Sequence, residues 1–166
     1  MPLTAARKDD FAQTYAEYRG MMLALAKRIL GDAALAEDAV SEASIKVLEH
    51  YDSLDGPTGP RTRRFVAVLT ERTALDMLRK RSREYMVPPE ELPVRSAPGS
   101  DPDLRMTVLN ALDRLPGDQR TAVLLSCLCG LTAKQVGENL GCSQAKAEKL
   151  ISRGREKLKK QLREAI

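Results

Sequence analysis

A cluster of prolines divides this sequence into two halves. Five of its nine prolines fall within residues 88–102, in the segment MVPPEELPVRSAPGSDPD. Proline lacks an amide proton and disfavours helical backbone in the residue before it, so this stretch predicts an extended linker. We therefore expect one domain over residues 1–85, a linker over residues 86–103 and a second domain over residues 104–166.

The first half has the spacing of amphipathic helices. Apolar residues recur at steps of three and four over residues 11–29, and Gly31 follows as a helix stop. We expect Asp9 and Asp10 at the start of this helix, where carboxylates favour the positive end of the helix dipole.

Two more helices are predicted before the linker, over about residues 33–51 and 62–85, separated by the segment DSLDGPTGPR. The later helix is expected to bury a face made of Phe65, Val68, Leu69, Leu75 and Leu78. Three helices with one apolar face each predict a compact bundle.

The second half is typical of a helix-turn-helix. After helices over about residues 104–129 comes the segment LTAKQVGENLGCSQAKAEKL. Thr132 and Gln135 form a capping box, Gly141 suits a left-handed turn, and Ser143 caps a longer basic helix. The predicted fold is all-α: a three-helix bundle and a four-helix domain with a helix-turn-helix. A helical hairpin without DNA contact is the alternative.

Basic charge is concentrated in two segments. Residues 61–84 and residues 143–166 each contain eight basic and three acidic residues, whereas residues 86–103 have a net charge of −3. Two basic segments separated by an acidic one indicate two surfaces for a polyanion, and solvated helix faces are the alternative.

The composition argues against an enzyme. The chain has one histidine (His50), no nucleophile–base pair and no glycine-rich phosphate loop, and its three cysteines (Cys127, Cys129 and Cys142) are interpreted as reduced and structural. We expect no cofactor, no metal and no catalytic centre. Because no apolar run is long enough to span a bilayer, we expect a protein without membrane insertion that is cytoplasmic and associated with the nucleoid.

Both halves resemble one known family. The stretch from Leu115-Pro116 through Gly130-Leu131-Thr132 to SRGREKL at residues 152–158 is similar to region 4 of the bacterial sigma-70 family, in its small extracytoplasmic-function type. The segments AEDAVSEASIKVLEH and RFVAVLTERTALDMLRKRSRE resemble region 2. The resemblance covers about residues 11–162 and implies a sigma factor that directs core RNA polymerase to promoter DNA.

The resemblance also implies the polymerase-binding residues. They lie on one face of the second helix, which would dock on the clamp helices of the largest polymerase subunit: Asp38, Ser41, Glu42 and Ile45. The flap of the second-largest subunit is a further expected contact. From composition alone, a solvated acidic face is the alternative.

Two DNA-binding sets follow from the resemblance. For melted −10 DNA they are Arg64, Arg72, Arg79, Lys80 and Arg83, with the loop over residues 52–63 forming part of a pocket for a flipped base. For −35 duplex they are Gln144, Lys146, Lys149, Ser152 and Arg153.

Several positions depart from the family pattern, among them Ser41 in place of a usual glutamine and Leu150 in place of a frequent basic residue. Arg72 stands where asparagine is usual. Glu148 lies in the recognition helix, where it would accept from a cytosine, repel phosphate, or pair with Lys149 or Ser152.

Three further expectations stay open. The acidic linker either mimics nucleic acid in the polymerase cleft or is a simple tether. An anti-sigma protein is an additional partner that the family implies. The alternative functions are a stand-alone helix-turn-helix regulator that binds an operator as a dimer, and an adaptor that only binds other proteins.

Overall fold

The computed structural model describes residues 4–84 and 102–165, which form seven α-helices and one short 3-10 helix, with no strand in these ranges. The predicted all-α fold class is therefore confirmed. The helices are α1 (Ala5–Leu30), α2 (Ala33–Glu49), α3 (Pro60–Glu84), α4 (Pro102–Asp113), α5 (Gly117–Cys127), α6 (Ala133–Leu140) and α7 (Gln144–Ala165), with the 3-10 helix at Tyr51–Ser53.

Local capping chemistry determines the ends of α1. The Thr4 hydroxyl accepts a hydrogen bond from the Arg7 amide at 3.4 Å, and Gly31 ends the helix with a left-handed φ of 67°. The helix stop predicted at Gly31 is confirmed. The position expected for Asp9 and Asp10 is wrong: α1 begins four residues before Asp9 and has no acidic residue in its first turn.

A side-chain cap starts α2, and the chain that follows this helix is anchored to the bundle. The Asp32 carboxylate accepts from the Leu35 amide at 3.0 Å and starts α2. This helix ends at Glu49, two residues earlier than predicted, where the chain tightens into the 3-10 helix. Tyr51 in that turn is buried, and its hydroxyl lies 2.9 Å from the Thr14 hydroxyl on α1, so a hydrogen bond closes this end of the bundle.

Small aliphatic side chains fill the space between α1, α2 and α3. Alanine lets helix axes approach closely, and each larger aliphatic side chain that is fully buried contributes roughly 1.5–3 kcal/mol of transfer free energy. The residues exposed by 1% or less in this core are Leu25, Ala26, Ala36, Ala39, Val40, Ala43, Val66, Ala67 and Ala74.

The face predicted for α3 does pack against the core, but it is less deeply buried than expected. Of the five residues expected to be buried there, only Leu75 is; the others are half-buried. The most deeply buried positions instead include Thr62, Val66, Thr70 and Glu71. The reason is tertiary: α3 packs against α1 and α2 on one side and against α4, α5 and α6 on the other, so polar residues become enclosed as well.

The helix-turn-helix is formed by α6 and α7. Thr132 and Gln135 make both hydrogen bonds of the capping box, and Gly141 has φ 65°. A Cβ added at Gly137 would lie 2.7 Å from the Cys142 carbonyl oxygen, so only glycine allows the helices to cross this closely. The Ser143 hydroxyl accepts from the third amide of the next helix at 3.2 Å. These predictions are confirmed.

The two halves contact each other along α3. Most of the predicted linker, residues 86–103, lies outside the described residues; its last two, Pro102 and Asp103, begin α4. The helices before the predicted linker (the first unit) and those after it (the second unit) pack against one another through α3.

Candidate nucleic-acid interface

The outer face of α7 carries every residue predicted to contact −35 DNA. Buried Ala147, Ile151 and Gly154 hold the helix against its own unit, and a Cβ at Gly154 would meet the Val123 side chain at 2.5 Å. All five are exposed: Lys146, Lys149, Ser152 and Arg153 lie away from the packed side, and Gln144 lies in the first turn of the helix. Packing one face of α7 so tightly leaves the other free to enter a groove.

Lys149 and Arg153 lie side by side on this face. Together with Ala145, Glu148 and Ser152 they line a shallow open depression of about 350 Å³. Because the two cations are one helical turn apart, they present adjacent donors to a base edge or to phosphate oxygens.

Glu148 has a partner that the sequence analysis did not anticipate. Its carboxylate accepts a hydrogen bond from the Gln144 side-chain amide at 3.2 Å, one turn earlier on α7. Glu148 therefore pairs with Gln144 and not with Lys149 or Ser152, the partners suggested from the sequence.

The −10 residues of α3 fall into two groups. Arg72, Lys80 and Arg83 are exposed. Arg64 and Arg79 instead pair with carboxylates of the second unit. The structure therefore does not present the five predicted cations as one open surface.

Arg64 and Arg79 bind aspartates of α5 and α4. The Arg64 guanidinium donates to both oxygens of Asp118, at 2.8 and 2.7 Å. Arg79 pairs with Asp113 and, at 3.7 Å, with Asp76 on its own helix, and its side chain is only 18% exposed. The two-pronged contact at Arg64 has the geometry with which arginine also binds phosphate.

Glu71 is the most enclosed charged residue among those described. It is 0% exposed, pairs with Arg120 of α5, and its second oxygen accepts from the Thr121 hydroxyl at 3.3 Å. Burial raises the pKa of Glu71 to about 7, although Arg120, Thr121 and the nearby Arg72 act to lower it. Sequence reasoning counted Glu71 only as a charge opposing its basic neighbours.

The loop before α3 is shaped by Asp55. Its carboxylate accepts from the Thr62 amide and hydroxyl at 2.9 and 3.0 Å and from the Arg61 amide at 3.1 Å. Desolvation acts to raise the pKa of Asp55, but these hydrogen bonds outweigh it and lower the pKa. The loop predicted to receive a flipped base, residues 52–63, is therefore held in a tight turn at the start of α3.

The acidic face of α2 is exposed along its whole length. Asp38, Ser41 and Glu42 point to solvent, and Ile45 beside them is 60% exposed. Glu42 also pairs with Lys46 at 3.2 Å on the same helix. This face therefore combines one exposed apolar side chain with two carboxylates.

The three cysteine thiols are free. No helix in the described part of the chain is both long enough and apolar enough to cross a membrane.

An exposed basic helix in a helix-turn-helix, in a chain that has a second basic helix, defines a DNA-binding protein of the regulatory kind. Two family descriptions match the chain: Sigma-70 region 2 over residues 14–84 and Sigma-70, region 4 over residues 105–158. Together they span about three quarters of it.

Relatives match over nearly the full length. The chain is 29% identical to RNA polymerase sigma factor CarQ of Myxococcus xanthus and 27% identical to ECF RNA polymerase sigma factor SigW of Bacillus subtilis, each match covering 95% of this chain and 91% of the relative. Among solved structures, it is similar to the sigma factor RpoE in complex with the anti-sigma factor NepR from Bartonella quintana, with 25% identity, a TM-score of 0.47 and coverage of 93% of this chain and 97% of that one.

The chain belongs to the sigma-70 family, in its extracytoplasmic-function group, and it is a sigma factor that works in transcription initiation. The predicted family and function are confirmed. A stand-alone helix-turn-helix regulator is not favoured, because region 2 accounts for the N-terminal half, which that alternative leaves without a role.

Proposed function

We propose that this sigma factor directs core RNA polymerase to its promoters through three separate surfaces. The face of α2 binds the polymerase, α3 holds melted −10 DNA and α7 reads −35 duplex. The observation that carries this proposal is the exposed row of donors on α7, backed by a tightly packed helix-turn-helix. The domains are assigned as residues 1–85 and 104–166, with residues 86–103 between them.

The polymerase-binding surface consists of an apolar centre with an acidic surround. Ile45 supplies the apolar contact, and Glu42 and Asp38 lie one and two turns earlier on the same face, with Ser41 between them. Such an arrangement suits the basic clamp helices of the largest polymerase subunit, because the apolar centre gives affinity and the charges set orientation and rate of encounter. The flap of the second-largest subunit would contact the second domain.

The two DNA surfaces differ in what they recognise. On α7, Lys149 and Arg153 donate to bases or phosphates in the major groove, while Gln144, Lys146 and Ser152 flank them. On α3, Arg64, Arg72, Arg79, Lys80 and Arg83 follow the backbone of a single strand. Because Arg72 replaces a hydrogen-bonding amide with a charge, it contributes affinity for phosphate more than discrimination between bases.

The proposal assigns no catalytic centre to this chain. Bond formation belongs to the polymerase, so the sigma factor needs no cofactor and acts in the cytoplasm, at the nucleoid. An anti-sigma protein is likewise proposed as a partner; the similar sigma factor RpoE from Bartonella quintana was solved in complex with the anti-sigma factor NepR.

Reconstituted transcription tests the function. Purified chain added to core enzyme should produce transcripts with defined start sites on genomic fragments, and core enzyme alone should not. The double variant Lys149→Ala/Arg153→Ala should abolish these starts, whereas Lys27→Ala/Arg28→Ala, which removes two cations from the last turn of α1, should preserve them. Start sites that do not depend on the chain would contradict the proposal.

A further inference from the structure

The recognition helix α7 carries one carboxylate in a depression whose other lining residues are basic or neutral. Glu148 is exposed and lines this depression together with Ala145, Lys149, Ser152 and Arg153. It lies in the N-terminal part of α7, the part of a recognition helix that reaches base edges. A carboxylate in this place repels DNA phosphates, so it lowers affinity for DNA unless it makes a favourable contact with a base.

The charge of Glu148 is not neutralised along its own helix face. No cation stands three or four positions away from it; the residues there are Gln144, Ala145, Ile151 and Ser152. By contrast, the exposed Glu42 of α2 pairs with Lys46 one turn later, at 3.2 Å. The Glu148 carboxylate therefore remains available as an acceptor on the surface assigned to DNA.

Gln144 holds this carboxylate in place. Its side-chain amide donates to Glu148 Oε1 at 3.2 Å, which favours one position of an otherwise freely rotating side chain. A carboxylate offers about four lone pairs, of which this hydrogen bond uses one. The others can accept from the amino group of a base, and the acceptor is already oriented before DNA arrives.

The depression has an acceptor side and a donor side. Successive residues of a helix are about 100° apart around its axis, so Glu148 lies on one side of the depression and Lys149 on the other. Ala145 has a side chain of one carbon and leaves room between them. The ammonium group of Lys149 only donates hydrogen bonds, whereas the ionised carboxylate of Glu148 only accepts them.

A C·G base pair presents the matching pattern in the major groove. Cytosine offers its amino group as a donor and guanine offers N7 and O6 as acceptors, whereas an A·T pair places its donor between two acceptors. We propose that Glu148, positioned by Gln144, selects a C·G base pair in the −35 element: the carboxylate accepts from the cytosine amino group and Lys149 donates to the guanine. The inference rests on the proposed role of α7 in reading −35 duplex.

Selection from a randomised promoter tests this assignment. Core enzyme reconstituted with the full chain is given a fragment from one of its own start sites, in which the −35 region has been randomised, and the bound fraction is sequenced. Glu148→Ala removes the acceptor, and Glu148→Gln keeps an acceptor oxygen without the charge. Glu156→Ala is the matched control, because it removes an exposed carboxylate from the same helix about two turns beyond the depression.

The wild type and Glu156→Ala should prefer C at one −35 position by about fivefold to twentyfold over the other bases, including G, which reverses the pair. Glu148→Ala should lose this preference at that position alone. Glu148→Gln should accept C and A there, the two bases with an exocyclic amino group that points into the major groove. Gln144→Ala should lower the preference for C about twofold at the same position, with an unchanged helical signal in circular dichroism.

The proposal is overturned if Glu148→Ala raises affinity for every sequence alike, as expected of Glu156→Ala, since the carboxylate would then act through its charge alone. It is also overturned if the wild type selects other bases but no cytosine in the −35 region, and in that case the proposed function still stands. A full preference for C in Gln144→Ala would overturn the positioning role of Gln144. A reconstituted enzyme that enriches no sequence at all would contradict the proposed function itself.

Discussion

Gly141 offers a direct test of whether the helix-turn-helix touches α3 in solution. It has φ +65°, and an added Cβ would lie 2.3 Å from the Pro60 carbonyl oxygen and 2.7 Å from two further Pro60 backbone atoms. Gly31 and Gly130 have φ +67° and no atom within 4 Å of an added Cβ. Alanine therefore meets similar backbone strain at all three positions and a clash at Gly141 alone.

The expected magnitudes follow from this difference. Left-handed backbone costs a non-glycine residue roughly 1–2 kcal/mol, so Gly31→Ala and Gly130→Ala should each lower the free energy of unfolding by about that amount. Gly141→Ala should cost about 1–3 kcal/mol more, as overpacking does elsewhere. This extra cost cannot exceed the free energy with which the two units pack against each other, because the units can separate and so relieve the clash at Gly141.

Urea unfolding followed by circular dichroism measures these values, since the chain has no tryptophan for fluorescence. Small-angle scattering on the same variants should show expansion for Gly141→Ala and none for the other two. Equal losses of stability at all three positions, with unchanged size, would refute the contact between Pro60 and the turn, and with it the packing of the two units described here.

Three other predictions concern single side chains. Because burial raises the pKa of Glu71 to about 7 from an ordinary 4.5, the folded chain binds this proton more tightly than the unfolded chain, and stability should fall as pH rises from about 4.5 to about 7. Glu71→Gln should flatten that part of the urea-stability profile; an unaltered slope would assign it to other groups. Thr132→Ala removes the capping box of α6 and should lower the free energy of unfolding by about 0.5–2 kcal/mol, whereas a loss near zero would show that α6 is held by packing alone. Lys149→Ala and Arg153→Ala should each weaken −35 duplex binding by roughly 1–3 kcal/mol in a gel-shift titration if they contact bases, and a loss that is the same for every DNA sequence would reassign them to phosphate.

Features governed by neighbouring residues could be predicted from the sequence. The stop at Gly31, the capping box of Thr132 and Gln135, and the turn at Gly141 each depend on backbone groups within a few positions. The same is true of the exposed face of α7, because a helix with a strong apolar stripe leaves its other side to solvent.

Features that depend on packing between distant segments could not be predicted from the sequence. The helix α3 was assigned one buried face, but it is covered from two sides, and Glu71 is enclosed by residues 49 and 50 positions away along the chain. Nothing in the local pattern pairs Arg64 with Asp118. For the same reason, the sequence could not show that two of the cations predicted to bind −10 DNA, Arg64 and Arg79, pair with carboxylates of the second unit.

The face of α2 carries the central claim, that this chain acts as the promoter-recognition subunit of a polymerase. The most direct measurement is the affinity of the purified chain for core RNA polymerase, compared among the wild type, Glu42→Lys and the control Glu17→Lys, which reverses an exposed charge on α1. We expect tight binding by the wild type and the control and a loss of at least tenfold for Glu42→Lys, with the helical signal unchanged. Equal affinity of all three proteins for core enzyme would remove α2 from the interface, and absence of binding by the wild type would contradict the account itself.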